Sequence, residues 1–188
     1  MIVYHGSPEL FDHFDLSKVG ESTGRKYGIG VNTAESEATA VHYSQPRHQP
    51  LTKNHYLYTV EIPEWTDDNH LISGQPVNPD IVKRVEAKLG KSVPKEMTEK
   101  GLEFRKWVGR TLTGAQKTGF EEEKAAAKFL DEIGVICNIW PKYQKNPENS
   151  PKNCVVFNAD RVRILKVERI EIVKKNKKYV LVSREPVK

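Results

Sequence analysis

Three short stretches carry residue types and spacings with chemical potential. In Tyr4-His5-Gly6-Ser7 an imidazole able to hydrogen-bond a hydroxyl precedes a glycine, whose missing Cβ lets a ligand reach the backbone. Gly28-Ile29-Gly30-Val31-Asn32-Thr33 is followed, eleven residues after Asn32, by Tyr43. Asn153-Cys154-Val155-Val156-Phe157-Asn158 is an apolar run opened by an amide. Each stretch also has an ordinary reading: a turn after a strand, a tyrosine at the edge of a core, and a strand preceded by a turn-forming asparagine. Cys137 and Cys154 lie in apolar stretches where a thiol behaves as a small buried hydrophobe. No Cys/His cluster has zinc spacing, so no metal is expected. Glu121, Glu122 and Glu123 fall in the expected first turn of a helix, where acids serve the helix dipole.

The elements that must position these residues follow from periodicity. Ile2 to Tyr4 reads as a short strand, followed by a loop with Phe11 and Phe14 as anchors and Gly20, Gly24, Arg25 and Lys26 in its second half. Tyr27 to Val31 reads as a strand whose glycines admit another backbone or a ligand. Thr33 is the expected N-cap of a short helix that turns Ala38, Val41 and Tyr43 inward. His55 to Ile62 alternates as a half-buried strand. Asn78 to Leu89 and Lys95 to Leu112 are helical in pattern, and Thr118-Gly119-Phe120-Glu121 fits a capping box for a helix that Gly134 stops. Residues 135–139, 154–157, 162–173 and 179–183 are β-branched and read as strands. The sum is one α+β domain over residues 1–188, with strands at both ends and residues 78–115 as a helical insertion.

The order and spacing of the three stretches resemble the ADP-ribosyltransferase superfamily of the diphtheria-toxin and poly(ADP-ribose) polymerase type. In that family a Tyr/Phe-His-Gly-Ser/Thr turn is followed by a Gly-x-Gly-Ile-Tyr-type strand and a helix carrying a tyrosine eleven residues beyond the strand's own. Here Tyr4-His5-Gly6-Ser7, Gly28-Ile29-Gly30-Val31-Asn32 and Tyr43 stand at that interval, and Asn153 to Val162 looks like the late catalytic strand. Leu130-Asp131-Glu132-Ile133-Gly134-Val135 is similar to a segment found in small transferases of phages and of phage- or plasmid-borne polyvalent proteins. The resemblance covers roughly residues 1 to 62 and 118 to 166.

It implies a split mixed β-sheet core carrying the insertion, and a mono-ADP-ribosyltransferase that moves ADP-ribose from NAD to a macromolecule. The acceptor is expected to be a host protein, with nucleic acid as the alternative. Tyr43 would stack on nicotinamide, His5 would bond an adenosine ribose hydroxyl, and the Gly6 backbone would pair with the carboxamide. Ser7 would support the turn, and Arg25 or Lys26 would meet the pyrophosphate. The resemblance places Asn32 where many relatives have a stacking tyrosine, and Asn153 where they have the catalytic glutamate. An amide carries no charge and cannot act as a base, so polymer elongation is not expected. Two other functions follow from the same resemblance: an NAD-binding pseudoenzyme that acts by contact, and a nucleic-acid ADP-ribosyltransferase or RNA 2′-phosphotransferase-like enzyme.

The formal net charge of +5 invites a nucleic-acid reading, but its distribution argues otherwise. Residues 161–188 hold 10 Lys and Arg against 3 Asp and Glu, so the remaining 160 residues sum to −2. The NAD-type stretches lie in that weakly acidic part. The chain has no run of 18 apolar residues and its first residues carry neither a basic nor an apolar leader segment, so a cytoplasmic protein without membrane contact is expected.

Overall fold

A computed structural model describes residues 1–18, 25–45, 50–51, 53–143 and 145–187. The loop glycines Gly20 and Gly24 and the side chain of Arg25 lie outside the described residues. Eight strands form one sheet: β1 (Ile2–Ser7), β2 (Val31–Ala34), β3 (Tyr56–Glu61), β4 (His70–Ile72), β5 (Cys137–Pro141), β6 (Lys152–Val156), β7 (Arg163–Lys175) and β8 (Lys178–Pro186). Four α-helices accompany them: α1 (Glu37–Tyr43), α2 (Pro79–Leu89), α3 (Gly101–Thr113) and α4 (Phe120–Glu132). The strand order is β4-β5-β6-β2-β1-β3-β7-β8, antiparallel except for the parallel pair β4 and β5.

The expected α+β class is what the chain adopts, with several local differences. β4, three residues long, has too little alternation to stand out in the sequence. It pairs in parallel with β5 across a connection that contains α2, α3 and α4. Thr33 is not a helix cap, because it lies on β2 opposite Cys154. The helix starts later, with Ser36 at its N-cap. Gly119 rather than Thr118 begins α4, and the Glu122 carboxylate accepts from the Gly119 N–H at 2.8 Å. Thr118 instead accepts a hydrogen bond from Arg110. The single helix expected from Lys95 to Leu112 is a 3₁₀ turn, Lys95–Met97, followed by α3.

Two cores sit on one face of the sheet. Residues of α2, α3 and α4, among them Ile81, Phe104, Val108 and Leu130, pack over Leu71 and Val155 of the β4-β6 side. Residues 78–115 are therefore part of the same core as α4. Ala40 and Val41 of α1 pack over Leu57, Ile170 and Ile172 of the other side. The opposite face buries Val3, Val31, Tyr58, Val60, Cys154 and Val167 under chain segments that carry Phe11, Phe14, Leu16 and Trp65. Among the described residues, no helix is long and apolar enough to cross a membrane.

Candidate active site at the β1–β2 junction

The three chemically suggestive stretches, far apart in sequence, converge on the middle of the sheet. β1 pairs with β3 in six positions from Ile2–Glu61 to Ser7–Tyr56, and β2 pairs with β6 in four from Val31–Val156 to Ala34–Asn153. Between β1 and β2 one register pair exists, Tyr4 opposite Ala34. Past it the strands part, and His5 spans the gap with its Nδ1 2.7 Å from the Asn32 carbonyl oxygen. A carbonyl can only accept, so Nδ1 is the protonated nitrogen when this bond forms. Nε2 is left as an acceptor without a hydrogen bond from any described residue.

Register fixes which side chains share a face, because directly opposed residues of antiparallel strands point the same way. Tyr4, Ala34, Asn153 and Trp140 form one continuous row on the α1 face. Asn32 and Gly6 point to that face too, being two residues from Ala34 and Tyr4. His5 and Ser7 face the other side. There the His5 ring packs edge-on against Phe14 (5.1 Å between centroids), Tyr58 (5.8 Å) and Phe11 (6.0 Å), so the two loop phenylalanines are anchors as expected. This apolar setting holds the His5 pKa below its ordinary value, against the opposing pull of the Asn32 hydrogen bond. The Tyr58 hydroxyl, pushed up to about 12 by burial, accepts from the Phe11 N–H and donates to the Glu9 carbonyl. These bonds tie the loop to the sheet beside His5.

Gly6 is required by packing. A Cβ on it would stand 1.9 Å from the Ala40 carbonyl oxygen and 2.8 Å from the Ser44 nitrogen, so the last turns of α1 lie directly on this glycine. Tyr43, in that same last turn, is 49% exposed and has the His42 ring 5.3 Å away. Of the three residues expected to face inward, Val41 does, whereas Ala38 and Tyr43 are exposed: a seven-residue helix buries only Thr39, Ala40 and Val41 at its middle. Gly30, with φ +156, has the Val156 carbonyl 2.1 Å from where its Cβ would be. The close backbone approach expected of this segment is that of β6.

Asn153 is 9% exposed, and its carboxamide hydrogen-bonds no described residue. Its strand is held in place by Glu35, which lies ahead of Ser36, the N-cap of α1. The Glu35 carboxylate accepts from the Lys152 N–H at 2.6 Å, and the Glu35 N–H donates to the Lys152 carbonyl at 3.0 Å. Lys142 Nζ reaches Ser36 Oγ at 3.4 Å on the same side.

Two further features were not legible in the sequence. Arg105 of α3 is fully buried and bonds Glu123 of α4 through Nε at 2.7 Å and Nη2 at 3.0 Å. All three glutamates stand in the first turn as expected, and Glu123 alone of them is also buried and paired with Arg105. Arg105 Nη1 also donates to the Tyr27 carbonyl at 2.9 Å, and the buried Asn138 amide donates to that same oxygen at 2.9 Å. So held, the Tyr27 ring stacks on Trp140 with centroids 3.8 Å apart and planes 3° from parallel. Lys26 Nζ stands 5.2 Å from the Tyr27 centroid. The only sequence signal for the Arg105–Glu123 pair was a charge at a position flanked by the helix's apolar stripe.

Cys137 and Cys154 are free and buried, and burial together with the neighbouring Cys154 raises the Cys137 thiol well above its ordinary value. A thiol so raised stays protonated, which leaves Cys137 a small buried apolar group rather than a nucleophile. Among the described residues no group of three or more His, Cys, Asp or Glu could hold a metal ion. A hollow of about 480 Å³ lined by His55, Arg169 and Arg184 among others lies apart from the junction, at the β7–β8 side. No family model matches the chain, and neither a curated protein nor a solved structure is detectably similar to it.

Proposed function

We propose that the chain is a mono-ADP-ribosyltransferase, moving one ADP-ribose from NAD to a macromolecular acceptor, a host protein in a phage- or toxin-like setting. What supports this reading above all is the single-pair junction between β1 and β2, where His5, Gly6, Asn32 and Asn153 converge from three separate stretches. A sheet that all but divides there, with a glycine and an imidazole on one lip and a buried amide on the other, suits the split sheet of that superfamily. NAD touching both His5 and Asn153 would have to cross where the two strands part, since these residues point to opposite faces.

In this reading the glycosidic C–N bond breaks and its electron pair leaves with neutral nicotinamide. The acceptor nucleophile bonds ribose C1′ and loses its proton to solvent. Nε2 of His5, an acceptor by virtue of the Nδ1 bond, suits a ribose hydroxyl donor. Asn153 can orient a hydroxyl through its amide but neither neutralises the oxocarbenium-like ribose nor removes a proton. Catalysis would then rest on positioning. The same amide favours a second reading, an NAD-binding protein without turnover that acts by contact.

Labelled NAD, purified protein and a host lysate test both. A labelled macromolecule that disappears in Tyr43→Ala and His5→Ala is expected, and protease or nuclease treatment identifies its class. Absence of label under every condition, with NAD binding retained, leaves the contact reading. Asn153→Glu is expected to shift the ratio of NAD hydrolysis to transfer.

A further inference from the structure

Asn32 cannot stack on a ring, and Tyr43 lies at the exposed end of a seven-residue helix. Yet the same face holds a preassembled aromatic pair. Trp140 stands directly opposite Asn153 in register, and Tyr27 lies flat on Trp140. Both rings are half-buried, so part of each stays open to solvent. Lys26, exposed, places its ammonium over the Tyr27 ring, so the solvent-open aromatic surface is that of Trp140 and the uncovered part of Tyr27. Asn153, nine-tenths buried next to the pair, has a carboxamide with no protein partner among the described residues.

The rigidity of this pair has a structural cause. The Tyr27 carbonyl accepts from both Arg105 and Asn138, and Arg105 Nη2 reaches the Lys26 carbonyl at 3.4 Å. Asn138 in turn exchanges hydrogen bonds with Ser73. Burying a guanidinium and a carboxylate costs desolvation that an apolar pair would avoid, so the ion pair is an expensive way to hold two helices together. What it adds is a fixed backbone at residues 26 and 27, hence a fixed ring. Preordered aromatic surfaces bind planar ligands well because little motion is lost on binding.

We propose that Tyr27 and Trp140, with Lys26 and Asn153 at their edges, form a binding site for a mononucleotide unit. The heteroaromatic ring lies against the stacked pair, its polar edge meets the Asn153 amide, and Lys26 takes the phosphate. This rests on the NAD reading for the natural source of the nucleotide, and either half of NAD has the required ring and phosphate. Arg105 and Glu123 act through Tyr27 and are positioning residues.

The test titrates the full chain separately with AMP and with nicotinamide mononucleotide, following tryptophan fluorescence and calorimetry. At least one is expected to bind saturably and quench fluorescence. The quench should vanish in Trp140→Phe, which keeps Trp65 and Trp107, and affinity should fall at least tenfold in Tyr27→Ala and about threefold in Lys26→Ala. No saturable binding of either nucleotide overturns the proposal, as does an unchanged quench in Trp140→Phe. The double variant Arg105→Met/Glu123→Leu replaces the ion pair with apolar volume and is expected to fold. A loss of nucleotide affinity in it, with its denaturation midpoint retained, supports the positioning role, and unchanged affinity refutes that role. If NAD labelling depends on His5 while neither nucleotide binds, the aromatic site falls and the transferase reading stands. If a nucleotide binds but NAD gives no label and no binding, the site stands and the transferase reading falls.

Discussion

The β4-β5-β6-β2 side of the sheet lies under three helices and encloses a buried Arg105–Glu123 pair, whereas the β1-β3-β7-β8 side carries one seven-residue helix and ends in an open hairpin. The ion pairs differ accordingly. Arg105 and Glu123 are 0% and 4% exposed at their side chains, while Arg184 of β8 meets Glu37 of α1 at 2.6 Å with both about one-third exposed. The outer side also carries the basic excess: Lys174, Lys175, Lys177 and Lys178 surround the β7–β8 turn, where Asn176 and Lys177 take positive φ. A turn with two such residues suits the twist of a two-residue hairpin, and lysines on an exposed edge discourage pairing with other strands. One side is thus built around an ion pair buried at both ends, while on the other the buried carboxylate of Glu168 meets the cations of Lys166 and Arg184, which stay partly in solvent, and the candidate site lies where the two sides touch.

That contrast can be broken most sharply at the two ion pairs. Glu123→Ala strands a buried guanidinium and is expected to cost about 3–5 kcal/mol in denaturant unfolding. Glu37→Ala should cost about 1 kcal/mol or less, because solvent already screens its pair. Equal losses would mean that the two sides do not differ in the way described. Next in size is Gly6→Ala, which forces α1 off β1 and is expected to cost about 1–3 kcal/mol. Val182→Thr, at a position on β8 that is 58% exposed, should stay within about 0.5 kcal/mol. Circular dichroism of the Gly6 variant would report whether α1 is displaced.

The smallest expected effect is the pH dependence of the junction itself. Burial lowers the His5 pKa in the folded chain, so between that value and the unfolded value of about 6.5 the unfolded chain binds more protons. Stability from this group is therefore complete above about pH 6.5 and declines as the pH falls below it. His5→Gln should flatten the part of the stability profile below about pH 6.5 that belongs to His5, leaving the part contributed by His70, whose pKa burial also lowers. A profile unchanged in His5→Gln would place the His5 ring in a more solvated setting than the aromatic one described.

Much of the architecture was readable where local chemistry is strong. Asn78 accepts from the Asp80 N–H ahead of Pro79 and starts α2 as the pattern indicates, and the β7–β8 hairpin follows its β-branched runs. Thr33 misled because a threonine before a glutamate-rich stretch looks like a cap, while pairing with Cys154 makes it a strand residue. Tyr43 misled for a related reason: helical periodicity says which residues share a side, but a helix of two turns buries only its middle. The partner of Glu123 was not readable, because an acid in a first turn needs none, and nothing local announces an arginine eighteen residues earlier that requires one.

By itself the sequence determined the α+β class, the helices and strands with strong local patterns, the need for a close approach at the Gly30 segment and the skewed placement of positive charge, since all of these arise from interactions within a few residues. Only the tertiary structure decided that β1 and β2 meet at a single pair, that His5 and Asn153 face opposite sides of the sheet, and that Tyr27 lies flat on Trp140. Those facts depend on strand order, register and a buried ion pair. Each joins residues tens of positions apart, through contacts that no local propensity encodes.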